Sequence, residues 1–172
     1  LEFRRVLFRS VYHGYSQELN LACQSEFVSG HNNIVAWDFS VVAGQGKTIM
    51  LKLTLRMSED SNAIALAFER LNGCGVADCL DDLAPVTIIM RPDIEDRSVH
   101  EVTRAFAGPE VNFPKAVNLK ANGFVFDPGK GHRLELTMEK SKFHSQPEWQ
   151  YMIPLPLEQE RGLDAHNDLF SP

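Results

Sequence analysis

The sequence predicts an all-β protein, an antiparallel β-sandwich, from three observations. From Thr48 to Met57 the apolar residues Ile49, Leu51, Leu53, Leu55 and Met57 fall at every second position, with Lys52, Thr54 and Arg56 between them. That is the period of a strand with one face buried. Short apolar runs recur along the chain, separated by Gly, Pro, Asn and Asp clusters, and few windows carry a helical period. In chain order, Ile34 to Val42 predicts a strand, and Ala43-Gly44-Gln45-Gly46 supplies a turn into the alternating segment, which makes a hairpin. Ala63 to Phe68, Val86 to Met90, Phe124 to Phe126, Arg133 to Met138 and Gln150 to Ile153 predict further short strands. One short helical turn is expected within His100 to Phe106, stopped by Gly108-Pro109. No internal repeat or low-complexity linker interrupts this pattern, so a sandwich is the architecture expected.

The 172 residues carry a formal net charge of −6. The first ten, Leu1 to Ser10, resemble the conceptual translation of a sequencing adapter along their whole length and are set aside from fold reasoning. Without their three arginines and one glutamate, the 17 basic and 23 acidic residues become 14 and 22, a net charge of −8 over 162 residues. An acidic chain with no Lys/Arg cluster lacks the electrostatic footprint of phosphate-backbone binding, so nucleic acid is not an expected partner. No stretch approaches the roughly 18 apolar residues of a membrane span. Membrane is excluded on the same reading. The odd set Cys23, Cys74 and Cys79 is read as reduced thiols in a cytoplasmic protein, with a local Cys74–Cys79 disulfide as the alternative.

Several motifs have bland explanations. Gly44-Gln45-Gly46-Lys47-Thr48 resembles the tail of a phosphate-binding loop, but Val41 stands where the first Gly is needed, and an alternating strand follows where a helix should begin. Cys74 to Asp82 places carboxylates beside thiols, yet contiguous carboxylates cannot all face one ion, so a solvated loop is preferred to a cation site. No zinc spacing, His-Glu-x-x-His pair or Gly-x-Ser-x-Gly elbow is present, and no metal or other cofactor is implied.

Two segments are harder to explain by solvation. Arg91-Pro92-Asp93-Ile94-Glu95-Asp96-Arg97-Ser98-Val99-His100-Glu101 follows an apolar strand, with Pro92 ending the ladder and charges of both signs emerging beyond it. It reads either as a rigid loop offering Arg97 and His100 to a polar ligand or as a salt-bridge knot satisfied within itself, and the residues alone favour the knot. From Pro147 to Pro172, Trp149 and Tyr151 at strand spacing lead into a Pro-braced stretch and a polar turn with Glu158, Glu160, Arg161, Asp164 and Asp168. Aromatic rings beside carboxylates suit sugar recognition, because pyranose C–H faces stack on rings while hydroxyls need polar partners. An exit linker is equally consistent.

These two segments, Arg91-Pro92, Arg97 and His100, then Glu160-Arg161-Gly162-Leu163-Asp164 and Asp168-Leu169-Phe170-Ser171-Pro172, resemble the N-terminal domain of bacterial and archaeal glycogen debranching enzymes of the amylo-α-1,6-glucosidase type. Gln24 to Phe27 and Ile34 to Phe39 fit the same pattern less specifically. The resemblance implies a truncated β-supersandwich over 11–157, a linker starting within 158–172, and a following helical toroid that hydrolyses α-1,6 branch linkages. The glycosidase carboxylate pair is expected on that toroid, so no catalytic residue is assigned and the fragment alone is not expected to turn over substrate. Arg91, Arg97, His100, Trp149, Glu158, Arg161, Asp164 and Asp168 are expected to shape the domain interface or the rim of a substrate cleft. The partners implied are an α-glucan, through the parent enzyme, and the catalytic domain. The alternative is a purely structural β-sandwich that docks a neighbouring domain.

Overall fold

The computed structural model describes residues 7–12, 14–30, 33–72, 78–98, 101–129 and 131–172. It is mostly antiparallel strand with little helix, as the alternation predicts. Residues 11–157, read from sequence as one domain, fall into two compact units, Leu7–Met90 and one formed chiefly by Arg91–Pro172.

In Leu7–Met90, strands β1 (Leu7–Tyr12) and β2 (Tyr15–Glu18) form a hairpin, and β1 also borders β7 (Thr87–Arg91). Residues 7–10, set aside on sequence grounds, thus make up the first part of β1. The second sheet runs in the order β3 (Gln24–Ser29), β4 (Ile34–Gly44), β5 (Lys47–Met57) and β6 (Ile64–Leu71). The β4–β5 hairpin turns on Gln45 and Gly46 at φ of 52° and 70°, with Gly44 paired to Lys47. Two consecutive positive φ values match the right-handed twist of the strands, which explains the glycine. The phosphate-loop likeness at these residues is therefore a hairpin turn.

Alternation then sorts the side chains. Phe39, Val41, Ile49, Leu51 and Leu53 point into a core that also takes Leu19 and Leu80, with Val86 and Ile88 packed against it. On the opposite face Asp38 pairs with Lys52 at 3.4 Å. The loop before β7 is tied down by one side chain: the Arg70 guanidinium donates to the carbonyls of Leu80, Asp81, Asp82 and Ala84 at 3.1, 2.7, 3.2 and 2.6 Å. Cys79 in this loop is disulfide-bonded and Cys23 is free, which corrects the expectation of reduced thiols throughout. Residues 74–77 of the carboxylate-rich Cys74 to Asp82 stretch lie outside the described residues, and no metal-holding cluster occurs among the described ones.

Arg91–Pro172 holds two smaller sheets. One is β8 (Val117–Lys120), β9 (Gly123–Phe126) and β10 (Leu134–Thr137), with β9 central and wholly buried. A Cβ on Gly123 would lie 1.9 Å from the Leu136 carbonyl oxygen, so only glycine fits there. The other pairs β11 (Glu148–Pro154) with β12 (His166–Ser171). Ile94, Phe113, Phe124, Phe126 and Phe170 form the core.

The short helical turn expected before Gly108-Pro109 is a 3-10 turn, Ala105–Ala107, that ends at Gly108, and a helix the sequence reading did not assign, α1 (Pro109–Ala116), begins at Pro109. Proline at a first helical position loses no hydrogen bond, since that amide has no intrahelical partner, and its fixed φ suits the helix. Residues 158–172, expected to begin a linker, instead contain the end of α2 (Pro156–Glu160) and all of β12, buried from Asn167 onward.

Candidate functional site

The segment after β7 runs alongside β12 because the Ile94 amide donates to the Phe170 carbonyl at 2.7 Å. Ile94 enters the core, and its neighbours Asp93 and Glu95 are carried inside with it, at 5% and 4% exposure. A buried carboxylate is costly unless paired and hydrogen-bonded. Glu95 is both: Arg97 Nε donates to Oε2 at 2.7 Å, and Asn167 Nδ2 donates to Oε1 at 2.6 Å. Arg97 Nη1 donates to the Ser98 carbonyl at 3.1 Å and also to that of Glu101. Asn167, fully buried, accepts the Thr103 amide on Oδ1 at 2.6 Å.

Asp168 acts as a second bridge. Its two oxygens accept the amides of Ala105 and Met152, each at 2.9 Å, while its own amide donates to the Thr103 carbonyl at 3.0 Å. One carboxylate thus holds together the 3-10 turn, β11 and β12. Arg91 anchors the other end of the strand. Its Nε donates to Ser171 Oγ at 3.0 Å, Nη1 pairs with Glu148 at 2.9 Å, and the Ser171 hydroxyl donates onward to the Pro92 carbonyl at 3.0 Å.

The register of β11 against β12 explains the role of Asp168. Gln150 faces Leu169 and Ile153 faces Asn167, so Tyr151 and Met152 together oppose Asp168. This is a β-bulge, which re-aims the side chains it carries. Met152 sits at φ 56°, and Asp168 takes the amide that the bulge displaces from the ladder. From the core outward, rings follow one another. Buried Phe113 stacks on Trp149 at 5.7 Å and 30°, and Trp149 stacks on Tyr151 at 6.4 Å and 19°. Tyr151 is 53% exposed, and its hydroxyl donates to Glu110 Oε1, on the first turn of α1, at 2.6 Å. That bond raises the Tyr151 pKa above the ordinary phenol value, because ionisation would place two anions in contact. On β10, Glu135 is held below the ordinary carboxylate range by Lys120 and, less strongly, by Arg133.

Of the residues singled out from sequence, Arg91, Arg97 and Asp168 come together along β12, and Trp149 stands opposite Phe170 in the same pair of strands. Asp164 is exposed and pairs with Arg104 at 3.3 Å. Glu158 lies on α2, where its carbonyl accepts the amides of Arg161 and Leu163, and the Arg161 side chain is exposed. His100 lies outside the described residues. The salt-bridge knot, not a presented arginine, is how Arg97 is used. Sequence reasoning passed over Asn167, Thr103 and Glu110 as site residues, and noted Tyr151 only as one of two rings suited to sugar recognition. The available signal for Asn167 was a polar pair, Asn167-Asp168, directly before the apolar Leu169-Phe170.

Chemically, the arrangement is a frame. Both carboxylates at its centre, Glu95 and Asp168, take two internal donors each, one on each oxygen, so both hold backbone and side chains of the unit together. The exposed polar and aromatic groups, Tyr151, Glu110, Asp164 and Arg161, surround that frame. A family model described as glycogen debranching enzyme N terminal matches residues 20–172. No curated protein and no solved structure matches the chain. The family match spans both compact units, and the chain therefore belongs to the glycogen debranching enzyme N-terminal family.

Proposed function

We propose that this chain is a non-catalytic domain that contributes α-glucan binding or cleft architecture to the hydrolysis of α-1,6-glucosidic branch linkages by a cytoplasmic parent enzyme. The observation that carries this reading is the commitment of both oxygens of Glu95 and of Asp168 to internal donors in a unit that still exposes an ordered aromatic ring. A catalytic glycosidase pair needs one carboxyl group ready to protonate the leaving oxygen and another facing water or the sugar. These two carboxylates are instead structural. Arg91, Arg97, Trp149 and Asp168 act as the frame, and Glu158, Arg161 and Asp164 belong to its exposed margin, with His100 assigned to the same margin from sequence alone. Affinity electrophoresis in glycogen tests the binding part: migration retarded in proportion to glycogen supports it, and unretarded migration removes it. Release of glucose from a branched dextrin by this chain would overturn the non-catalytic part.

A second reading, a docking domain without sugar affinity, is favoured by a different observation. The apolar face of the β3–β6 sheet is only half covered, with Phe27, Met57 and Ile64 about half exposed, at 51%, 51% and 48%. Faces of this kind mark interaction surfaces. Under this reading Ile64→Lys abolishes association with a catalytic domain, while glycogen never retards the chain.

A further inference from the structure

We infer that Tyr151, presented by the β11 bulge and fixed by Glu110, is a stacking platform for one glucose ring of an α-glucan. The inference rests on the reading that the chain binds α-glucan, and it names where. Three observations on independent parts of the unit converge on this ring. The bulge of Tyr151 and Met152 opposite Asp168 breaks the regular alternation at this point. The hydroxyl bond to Glu110 ties the ring to α1, so the side chain is ordered before any ligand arrives. The stack through Trp149 to buried Phe113 supports the ring from beneath.

Each feature lowers the cost of binding a flexible polysaccharide. An exposed tyrosine on an ordinary strand loses rotamer freedom when a ligand covers it, whereas a ring already held in place loses little. The C–H face of a pyranose can lie on the outer face of the ring, and Glu110, itself exposed, has a second carboxylate oxygen able to accept a sugar hydroxyl. Asp168 is a positioning residue here. It touches no sugar and acts by holding Met152, and so the bulge, in place.

The test measures dissociation constants by affinity electrophoresis over a series of glycogen concentrations. It is paired with the fluorescence response of Trp149 to maltoheptaose in a chain carrying Trp37→Phe. Tyr151→Ala is expected to weaken retardation about tenfold, the scale of one aromatic contact, and to remove the fluorescence response. Tyr151→Phe keeps the ring and is expected to retain most of the affinity, with Glu110→Gln between the two. Tyr151→Leu, which keeps apolar bulk without a ring face, should match Tyr151→Ala and guards against a folding artefact. If the unmodified chain is retarded and both Tyr151→Ala and Tyr151→Leu are retarded as strongly as it is, the platform is wrong while glucan binding stands. If the unmodified chain is not retarded and Trp149 does not respond, both readings fall together.

Discussion

In Leu7–Met90 the interior is one apolar face of a four-stranded sheet, with Asp38 and Lys52 paired on the other face and no fully buried polar side chain among the described residues. In Arg91–Pro172 the apolar core of Ile94, Phe113, Phe124, Phe126 and Phe170 lies beside buried Asp93, Glu95, Thr103, Asn167, Asp168 and Ser171. Regular strands satisfy their own backbone groups, and in the first unit one half-buried side chain, Arg70, serves the carbonyls of the loop at 80–84. The second unit contains irregular backbone at 92–98 and 101–104, running into the 3-10 turn at Ala105, and a bulge at 151–152, whose amides would otherwise be left without partners. Asn167 and Asp168 supply acceptors for three of those amides, from Thr103, Ala105 and Met152. Irregular backbone is also where binding surfaces are usually built.

The largest effect is therefore expected in the polar frame. Arg97→Ala leaves the Glu95 carboxylate buried with half its compensation removed, and should cost about 3–5 kcal/mol. The chain has two tryptophans, Trp37 in one unit and Trp149 in the other. Denaturant unfolding of Trp37→Phe chains, followed through Trp149, should show a large drop in midpoint for Arg97→Ala. If the midpoint moved by less than that of a surface control, the frame would not be structural.

A smaller effect is expected in the apolar unit. Ile49→Val removes one methylene from a 2%-exposed core position, at about 0.5–1.5 kcal/mol, read through Trp37 in a Trp149→Phe chain. A loss as large as that of Arg97→Ala would erase the contrast between the units.

This contrast also decides what could be read from the residues. Strands β4, β5, β6, β7, β9, β10 and β11 announce themselves through alternation or short apolar runs, because each has a face or a whole segment in an apolar core. Strand β12 does not. His-Asn-Asp-Leu-Phe-Ser puts its polar residues inside, and only the amides they serve, far away in sequence at Thr103 and Ala105, give the reason. Helix α1 was hidden by the Gly108-Pro109 pair, which breaks a helix from within but begins one at its first position. The bulge that presents Tyr151 depends on the register between β11 and β12, and single-strand periodicity does not carry register.

The weakest effects should come from the exposed titrating groups. The Tyr151 pKa is raised by Glu110, so its contribution to stability is complete below the ordinary phenol value of about 10 and is lost as pH rises through the raised value. The Glu135 pKa is lowered by Lys120, so its contribution is present above the ordinary carboxylate value and is lost as pH falls through the lowered one. Above about pH 10 the melting temperature of the unmodified chain should fall slightly more steeply than that of Glu110→Gln. Parallel curves would mean that the Tyr151–Glu110 bond contributes nothing in solution.

The division of labour between the units is tested most directly by amide hydrogen exchange with and without saturating maltoheptaose. The account predicts added protection in Arg91–Pro172, centred on Trp149 to Ile153 and on Glu110 to Phe113, with the β3–β6 sheet unchanged. Protection confined to the β3–β6 sheet, or none in either unit, would contradict it.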